Sequence, residues 1–260
     1  MNAINRLVEF FNTTNGQSSV YHDISRIILM NLTELESKSI YDVADMCYVS
    51  APTISKFCRK LDFKNYTDFR TQVSDLVRYH HFMSRHVPVT RITEGETEQT
   101  VYIKELQRLM AEFEAEAQRT LFSEIAGALN GASRVSIYPY GAQDTYVRLQ
   151  TMLFFANIET VVPTTFSTQM DDASSLEPGC FVIAEGQDYK ENLFRLPIVE
   201  TAKKRGATIF VISSSYRSPF LNFADFCYCF NGVQAALDVH RIRMCVDFIS
   251  MAFRDAYLNI

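Results

Sequence analysis

The chain has 260 residues, with 25 Lys and Arg against 30 Asp and Glu, so its formal charge is −5. A composition of 47% hydrophobic and 21% charged residues argues against extensive disorder, and no run approaches the ~18 apolar residues a membrane helix needs. The start, Met1-Asn2-Ala3-Ile4-Asn5-Arg6, lacks the ordered segments of a secretory signal, and the six cysteines (Cys47, Cys58, Cys180, Cys227, Cys229, Cys245) include no Cys-x-x-Cys pair. A reduced, cytoplasmic protein without a metal or disulfide framework is the expectation.

In chain order, the first clear element is a helix with Ile24, Ile27, Ile28 and Leu32 on one apolar face. Ser39-Ile40-Tyr41-Asp42 has the form of a capping box, Ser as N-cap and an acidic residue three positions on, and opens a short helix through Cys47. Val43, Ala44 and Met46 supply its buried side. A turn at Tyr48-Val49 leads to Ser50, which can cap a third helix whose first turn tolerates Pro52. There Ile54, Phe57, Cys58 and Leu61 form one core stripe, and Thr53, Ser55, Lys56, Arg59 and Lys60 lie opposite. Asp62 to Thr67 then turns the chain into another helix, with Thr67 the expected N-cap.

A boundary is expected around the aperiodic, Pro- and Gly-containing stretch 86–98. This gives residues 1–86 as one domain, 87–98 as a linker and 99–260 as a second domain. The second should begin with a single helix over 99–129, from Val101, Leu106, Leu109, Phe113, Ala117 and Leu121 at three- and four-residue steps. Beyond it, Val135–Tyr138, Glu159–Val162, Phe181–Ala184, Thr208–Ile212 and Phe226–Phe230 are short apolar runs separated by helical segments. Strand alternating with helix implies parallel β-α units, and continuous apolar character fits strands covered on both faces. The last helix should run Gln234–Leu258, with Ala236, Val239, Ile242, Val246, Ile249 and Phe253 apolar.

Charge follows the same division. Residues 50–86 carry seven basic and three acidic side chains, whereas 89–260 carry 15 basic and 21 acidic ones. A basic module on an acidic body suits a polyanion-binding head joined to a sensing or assembly domain. The short helix, tight turn and second helix with a basic outer face form a helix-turn-helix pattern. In such a unit the second helix enters the major groove, so Ser50, Thr53, Ser55, Lys56 and Arg59 should meet it, with Lys60, Lys64 and Tyr66 on backbone phosphate. A protein-docking module with the same pattern is the alternative reading.

From Ser39 to Arg70 the sequence resembles the N-terminal domain of RpiR/MurR-type bacterial transcriptional regulators, whose pattern is a Val-Ser start to the recognition helix followed by an aromatic-Cys-basic-basic-Leu-Gly-Phe run. Here it reads Val49-Ser50 and Phe57-Cys58-Arg59-Lys60-Leu61-Asp62-Phe63, with Asp62 in place of glycine. Aspartate is one of the few residues other than glycine that tolerate positive φ. The resemblance implies a C-terminal sugar isomerase (SIS) domain, a doubly wound parallel-sheet α/β fold that senses phosphosugars. The overall expectation is therefore an all-α helix-turn-helix bundle joined to that α/β domain. Arg134–Tyr138, Glu177–Ala184, Ala202–Ile212, Ser218-Pro219-Phe220 and Ala224-Asp225 match its outline.

The family's two ligand loops fit less well. The first is Gly- and Ser-rich in the family and here includes Tyr140, Gly141, Gln143, Asp144 and Thr145. The second is normally of Ser-x-Ser-Gly-x-Thr type and here reads Glu185-Gly186-Gln187-Asp188-Tyr189-Lys190. Asp144, Glu185 and Asp188 would repel a phosphate by several kcal/mol unless Lys190 or Arg148 compensates. Three uses stay open: an unphosphorylated or amino sugar, a phosphosugar held by amides and cations, or no ligand in a domain that only dimerises. His240, at the last helix, is a further ligand candidate. No nucleotide-loop signature, metal spacing or triad is present, so a cofactor is not expected, nor an enzyme. An SIS-fold isomerase-like enzyme and a ligand-free dimerisation protein are the alternatives. Expected partners are double-stranded DNA, a sugar-type effector and further copies of the chain, since two half-sites need at least a dimer.

Overall fold

The computed structural model describes residues 3–16, 19–83, 92–117, 119–139, 144–186, 195–232 and 235–258. The chain separates into two compact units, Met1–Ser84 and Arg85–Ile260.

The first unit is helical: α1 (Ala3–Thr13), α2 (Val20–Met30), a 3-10 turn (Leu32–Ser37), α3 (Ile40–Met46), α4 (Ala51–Lys60) and α5 (Tyr66–Met83). Its core gathers Leu7, Ile24, Ile28, Val43, Ile54, Phe57, Cys58, Phe63 and Phe69. Phe57 is the hub, met edge-on by Phe10 at 5.7 Å between ring centroids and fully buried, a side chain whose truncation in a core commonly destabilises by about 3–5 kcal/mol. The capping box at α3 is present in both directions, Asp42 N to Ser39 Oγ at 3.3 Å and Ser39 N to Asp42 Oδ2 at 2.7 Å. Ser50 stands at the α4 N-cap, but its hydroxyl pairs with the Thr53 hydroxyl at 2.9 Å rather than with a backbone amide. The cap of α5 departs from expectation. Asn65, not Thr67, does the work, its Oδ1 accepting from Asp68 N at 2.9 Å while Asp68 Oδ2 accepts from Lys64 N at 2.9 Å. An amide oxygen one residue before the helix reaches the orphan N–H groups that Thr67, already inside it, cannot.

Asp62 adopts φ 63°, so aspartate fills the left-handed position where the family pattern has glycine. Tyr48, between α3 and α4, is left-handed as well, at φ 56°. For a non-glycine residue that conformation costs about 1–2 kcal/mol, least for Asp and Asn.

The second unit contains α6 (Glu98–Glu116), α7 (Thr120–Asn130), β1 (Arg134–Tyr138), α8 (Asp144–Phe155), β2 (Thr160–Val161), α9 (Phe166–Ser175), β3 (Cys180–Glu185), α10 (Leu196–Lys204), β4 (Thr208–Ser213), β5 (Phe226–Cys229) and α11 (Ala235–Tyr257), with a 3-10 turn at Pro219–Phe223. The expected single helix over 99–129 is two helices. Ala117 ends α6 and Arg119 is extended (φ −68°, ψ 134°), so the apolar stripe continues past a break that side-chain spacing does not register.

The five strands pair in the order β2-β1-β3-β4-β5, all parallel, with Val135 opposite Phe181 and Ile183 opposite Phe210. Alternate residues feed two cores. Val135, Ile137, Phe181, Ile183, Phe210 and Ile212 join residues of α6, α7, α8 and α11, including Phe113, Leu129, Leu149 and Ile249. Tyr138, Val182, Ala184, Ile209 and Val211 join residues of α9 and α10, including Ala173, Ile198 and Val199. The sheet is thus covered on both faces, which is why its strands read as unbroken apolar runs. β1 neighbours both β2 and β3, so the winding reverses between β1 and β3. Ligands of doubly wound sheets sit at that reversal, beyond the carboxyl ends of the strands.

Candidate nucleic-acid interface and effector crevice

In the first unit, α4 turns Ile54, Phe57 and Cys58 into the core and leaves Lys56, Arg59 and Lys60 exposed, with Thr53 and Ser55 half-buried beside them. Ser50 and Lys64 are exposed at either end. Lys60 reaches over the Tyr21 ring, its Nζ 5.8 Å from the centroid, which holds the cation against the helix surface. Burial pushes the Cys47 thiol up to about 11 and the Cys58 thiol to about 12, so both are neutral packing groups beneath this face.

Tyr66 is a correction. Its ring is buried and its hydroxyl donates to the Lys38 carbonyl at 2.9 Å, and burial pushes the phenol up to about 12. Arg70 Nη1 donates to the same carbonyl at 3.2 Å. The two side chains fasten the start of α5 to the residue ahead of α3, so Tyr66 is structural rather than a phosphate contact. Arg6, which carried no expectation, packs its guanidinium over Phe63 at 5.0 Å and donates to Leu61 O at 3.1 Å, closing the C-terminal end of α4.

In the second unit the winding reversal brings Pro139, at the end of β1, near Glu185, at the end of β3. Of the expected ligand residues, Tyr140, Gly141, Gln143, Gln187, Asp188 and Lys190 lie outside the described residues. Asp144 is exposed in the first turn of α8, where the helix dipole favours a carboxylate, with Arg243 Nη2 at 3.5 Å. Thr145 is buried behind it. Gly186 is buried with no room for a side chain, since a Cβ there would stand 2.9 Å from Phe220 Cβ.

Glu185 is 4% exposed, and its Oε1 accepts the Tyr146 hydroxyl at 2.8 Å. Burial first, and then the carboxylate, push the Tyr146 phenol well above its ordinary range. Arg195, also buried, donates from Nη2 to Pro139 O at 2.8 Å and to Gln169 Oε1, while Gln169 Nε2 donates to Pro163 O at 3.0 Å. Gln169, Glu185 and Arg195 line one small space with Tyr138 and Phe220. The floor of the crevice is therefore a satisfied polar network containing a cation. Sequence reasoning missed Tyr146, Gln169 and Arg195, because their partners lie 26 to 56 residues away and no spacing marks them. The Nε2 of His240 is 2.7 Å from the Tyr102 hydroxyl, which ties α11 to α6.

Residues 20–78, α2 to most of α5, match the helix-turn-helix domain of the rpiR family. The N-terminal unit is an rpiR-family helix-turn-helix domain. The match takes in α3, the tight turn after it and α4, the helix-turn-helix expected from the sequence. No curated protein matches the sequence. Among solved structures, the Vibrio vulnificus NanR protein complexed with ManNAc-6P is similar over 98% of this chain and 92% of its own, at 15% identity and a TM-score of 0.46. The sugar isomerase domain of an RpiR transcription factor from Sphaerobacter thermophilus covers 59% of this chain and 90% of its own, at 17% identity and a TM-score of 0.47. The C-terminal domain of glucosamine-fructose-6-phosphate aminotransferase from Francisella tularensis covers 82% of this chain and 54% of its own, at 8% identity and a TM-score of 0.42. Among the described residues no helix is long and apolar enough to cross a membrane.

Proposed function

We propose that the protein is a sequence-specific DNA-binding transcriptional regulator of RpiR type and not an enzyme. Its α/β unit would take a small sugar or phosphosugar at the β1/β3 crevice and assemble copies of the chain, controlling carbohydrate genes. The observation that carries the DNA-binding reading is the outer face of the rpiR-family recognition helix, where Thr53, Ser55, Lys56 and Arg59 share one side with Lys60. Base edges would be read by Thr53, Ser55 and Arg59, and phosphates held by Lys56, Lys60 and Lys64.

For the effector, the buried network alters the charge argument made from sequence. Glu185 is engaged with Tyr146, and the Arg195 guanidinium lies in the same floor, which favours an anionic or phosphorylated ligand more than the loop sequence does. Effector binding would favour one placement of two DNA heads over another, which requires different affinities for the two.

The test is fluorescence anisotropy of the intact chain on a random-sequence 30-base-pair duplex across a salt series. Three phosphate-binding lysines per head and two heads give Z of about 6, hence a slope of log K against log salt near −5. A slope near zero would remove DNA binding and return the docking-module reading.

A further inference from the structure

Three non-glycine residues take positive φ among those described: Asp62 (63°), Asn157 (59°) and Tyr48 (56°). Asp and Asn have short polar side chains that bond locally and adopt this conformation readily, whereas a bulky tyrosine is an outlier there. The motif requires the conformation. Cys47 ends α3, Tyr48 N donates to Asp45 O at 3.1 Å, Val49 N returns to Ala44 O at 2.9 Å, and Ser50 already caps α4. Residue 48 is the pivot of that reversal, and glycine would serve it without strain.

The tyrosine ring gives the fold nothing in exchange. It is 92% exposed, and no hydrogen bond or ring contact holds its side chain among the described residues. Elsewhere in the chain Tyr66, Tyr138, Tyr146 and Tyr228 each donate to a carbonyl or carboxylate. Backbone strain without a stabilising contact points to use in another state of the protein. Two residues separate Tyr48 from the N-terminus of the recognition helix, the end that meets base edges. Tyr41, seven residues earlier and 70% exposed, continues the same outer side of α3 with Asp45 between them. That side of the first helix carries no cation and one exposed carboxylate, Asp45, so an attractive phosphate contact from it has to come from a neutral donor such as a tyrosine hydroxyl.

We infer that Tyr48 is a DNA-contacting residue: its ring lies against deoxyribose at the rim of the major groove, and its hydroxyl donates to a phosphate oxygen of that strand. The inference rests on the DNA-binding reading of α4. It adds affinity by a neutral group, which displaces no counterion, so the contact is equally strong at low and high salt.

The experiment uses the intact chain with Tyr48→Gly, Tyr48→Phe and Lys64→Ala. Anisotropy is read on a duplex recovered from a random pool and on a scrambled duplex of equal length, from low to high salt. Tyr48→Gly should keep or raise the thermal midpoint and bind both duplexes about five- to tenfold more weakly, the scale of one hydrogen bond, with the salt slope unchanged. Tyr48→Phe should recover part of the loss. Lys64→Ala should instead flatten the slope. Wild-type affinity in Tyr48→Gly, beside a weakened Lys64→Ala, would overturn the inference and leave the DNA-binding reading intact. A midpoint several degrees lower in Tyr48→Gly would also overturn it, by showing a structural role for the ring. Binding by the parent chain without salt dependence would overturn both.

Discussion

Replacing Tyr66 by Phe separates a structural tyrosine from a phosphate contact. The substitution keeps the buried ring and removes only the hydroxyl that donates to Lys38 O at 2.9 Å. A net hydrogen bond is worth about 0.5–1.5 kcal/mol, and here the carbonyl keeps a second donor, Arg70 Nη1 at 3.2 Å, so a loss near the lower end, about 0.5–1 kcal/mol, is expected. For a domain of this size that lowers the midpoint by roughly 2–8 °C. Calorimetry of the intact chain is the assay, and the transition raised by a bound duplex is the one belonging to the helical unit. DNA affinity and its salt slope should not move. The alkaline limb carries a second signature. The folded phenol is raised from 10.0 to about 12, so its contribution is fully present below pH 10, falls as pH rises from there, and is lost above about 12. The stability gap between parent and variant should narrow and then reverse across that window, because only the parent's unfolded state gains a phenolate there. An unchanged midpoint together with weaker DNA binding at an unchanged salt slope would refute the reasoning and put the Tyr66 hydroxyl on a phosphate.

Lys60→Ala or Lys64→Ala should weaken binding to every duplex and reduce the salt slope by about 1 per phosphate contact in titrations by anisotropy. Arg59→Ala should instead relax preference at one base position, by about 1–3 kcal/mol in competition between operator variants. Asp62→Gly should leave the midpoint of the helical unit unchanged or higher, whereas Asp62→Ala, a residue that tolerates φ 63° less well than aspartate, should lower stability by up to about 1 kcal/mol in urea titration. Arg195→Met leaves Gln169 Oε1 without its donor and Pro139 O with only the longer bond from Gln169 Nε2 at 3.4 Å. That should destabilise the α/β unit by about 1–3 kcal/mol, seen as a fall in the calorimetric transition that DNA does not raise.

What the sequence showed plainly follows from local physics. The central strands β1, β3 and β4 were visible because each is an apolar run buried on two faces, the edge strands β2 and β5 as shorter, only partly buried apolar runs, and the α3 cap because both of its partners lie within four residues. Positive φ at Asp62 was expected from its place in the family pattern and its side-chain chemistry. What stayed hidden depends on distant partners or on backbone alone. Tyr66 looked like a phosphate contact until Lys38, 28 residues earlier, took its hydroxyl. The bond from Tyr146 to Glu185 spans 39 residues, and Arg195 offered no signal at all. The break between α6 and α7 leaves the hydrophobic stripe almost undisturbed, and the partner of His240, Tyr102, lies 138 residues earlier.

The most direct test of the account is selection of bound duplexes from a random DNA pool by the intact chain, followed by sequencing. The account predicts a consensus of two related half-sites about one helical turn or a multiple apart, one for each recognition helix of a dimer. Recovery of unenriched sequence, by a chain shown folded and at concentrations that saturate the pool, would contradict it.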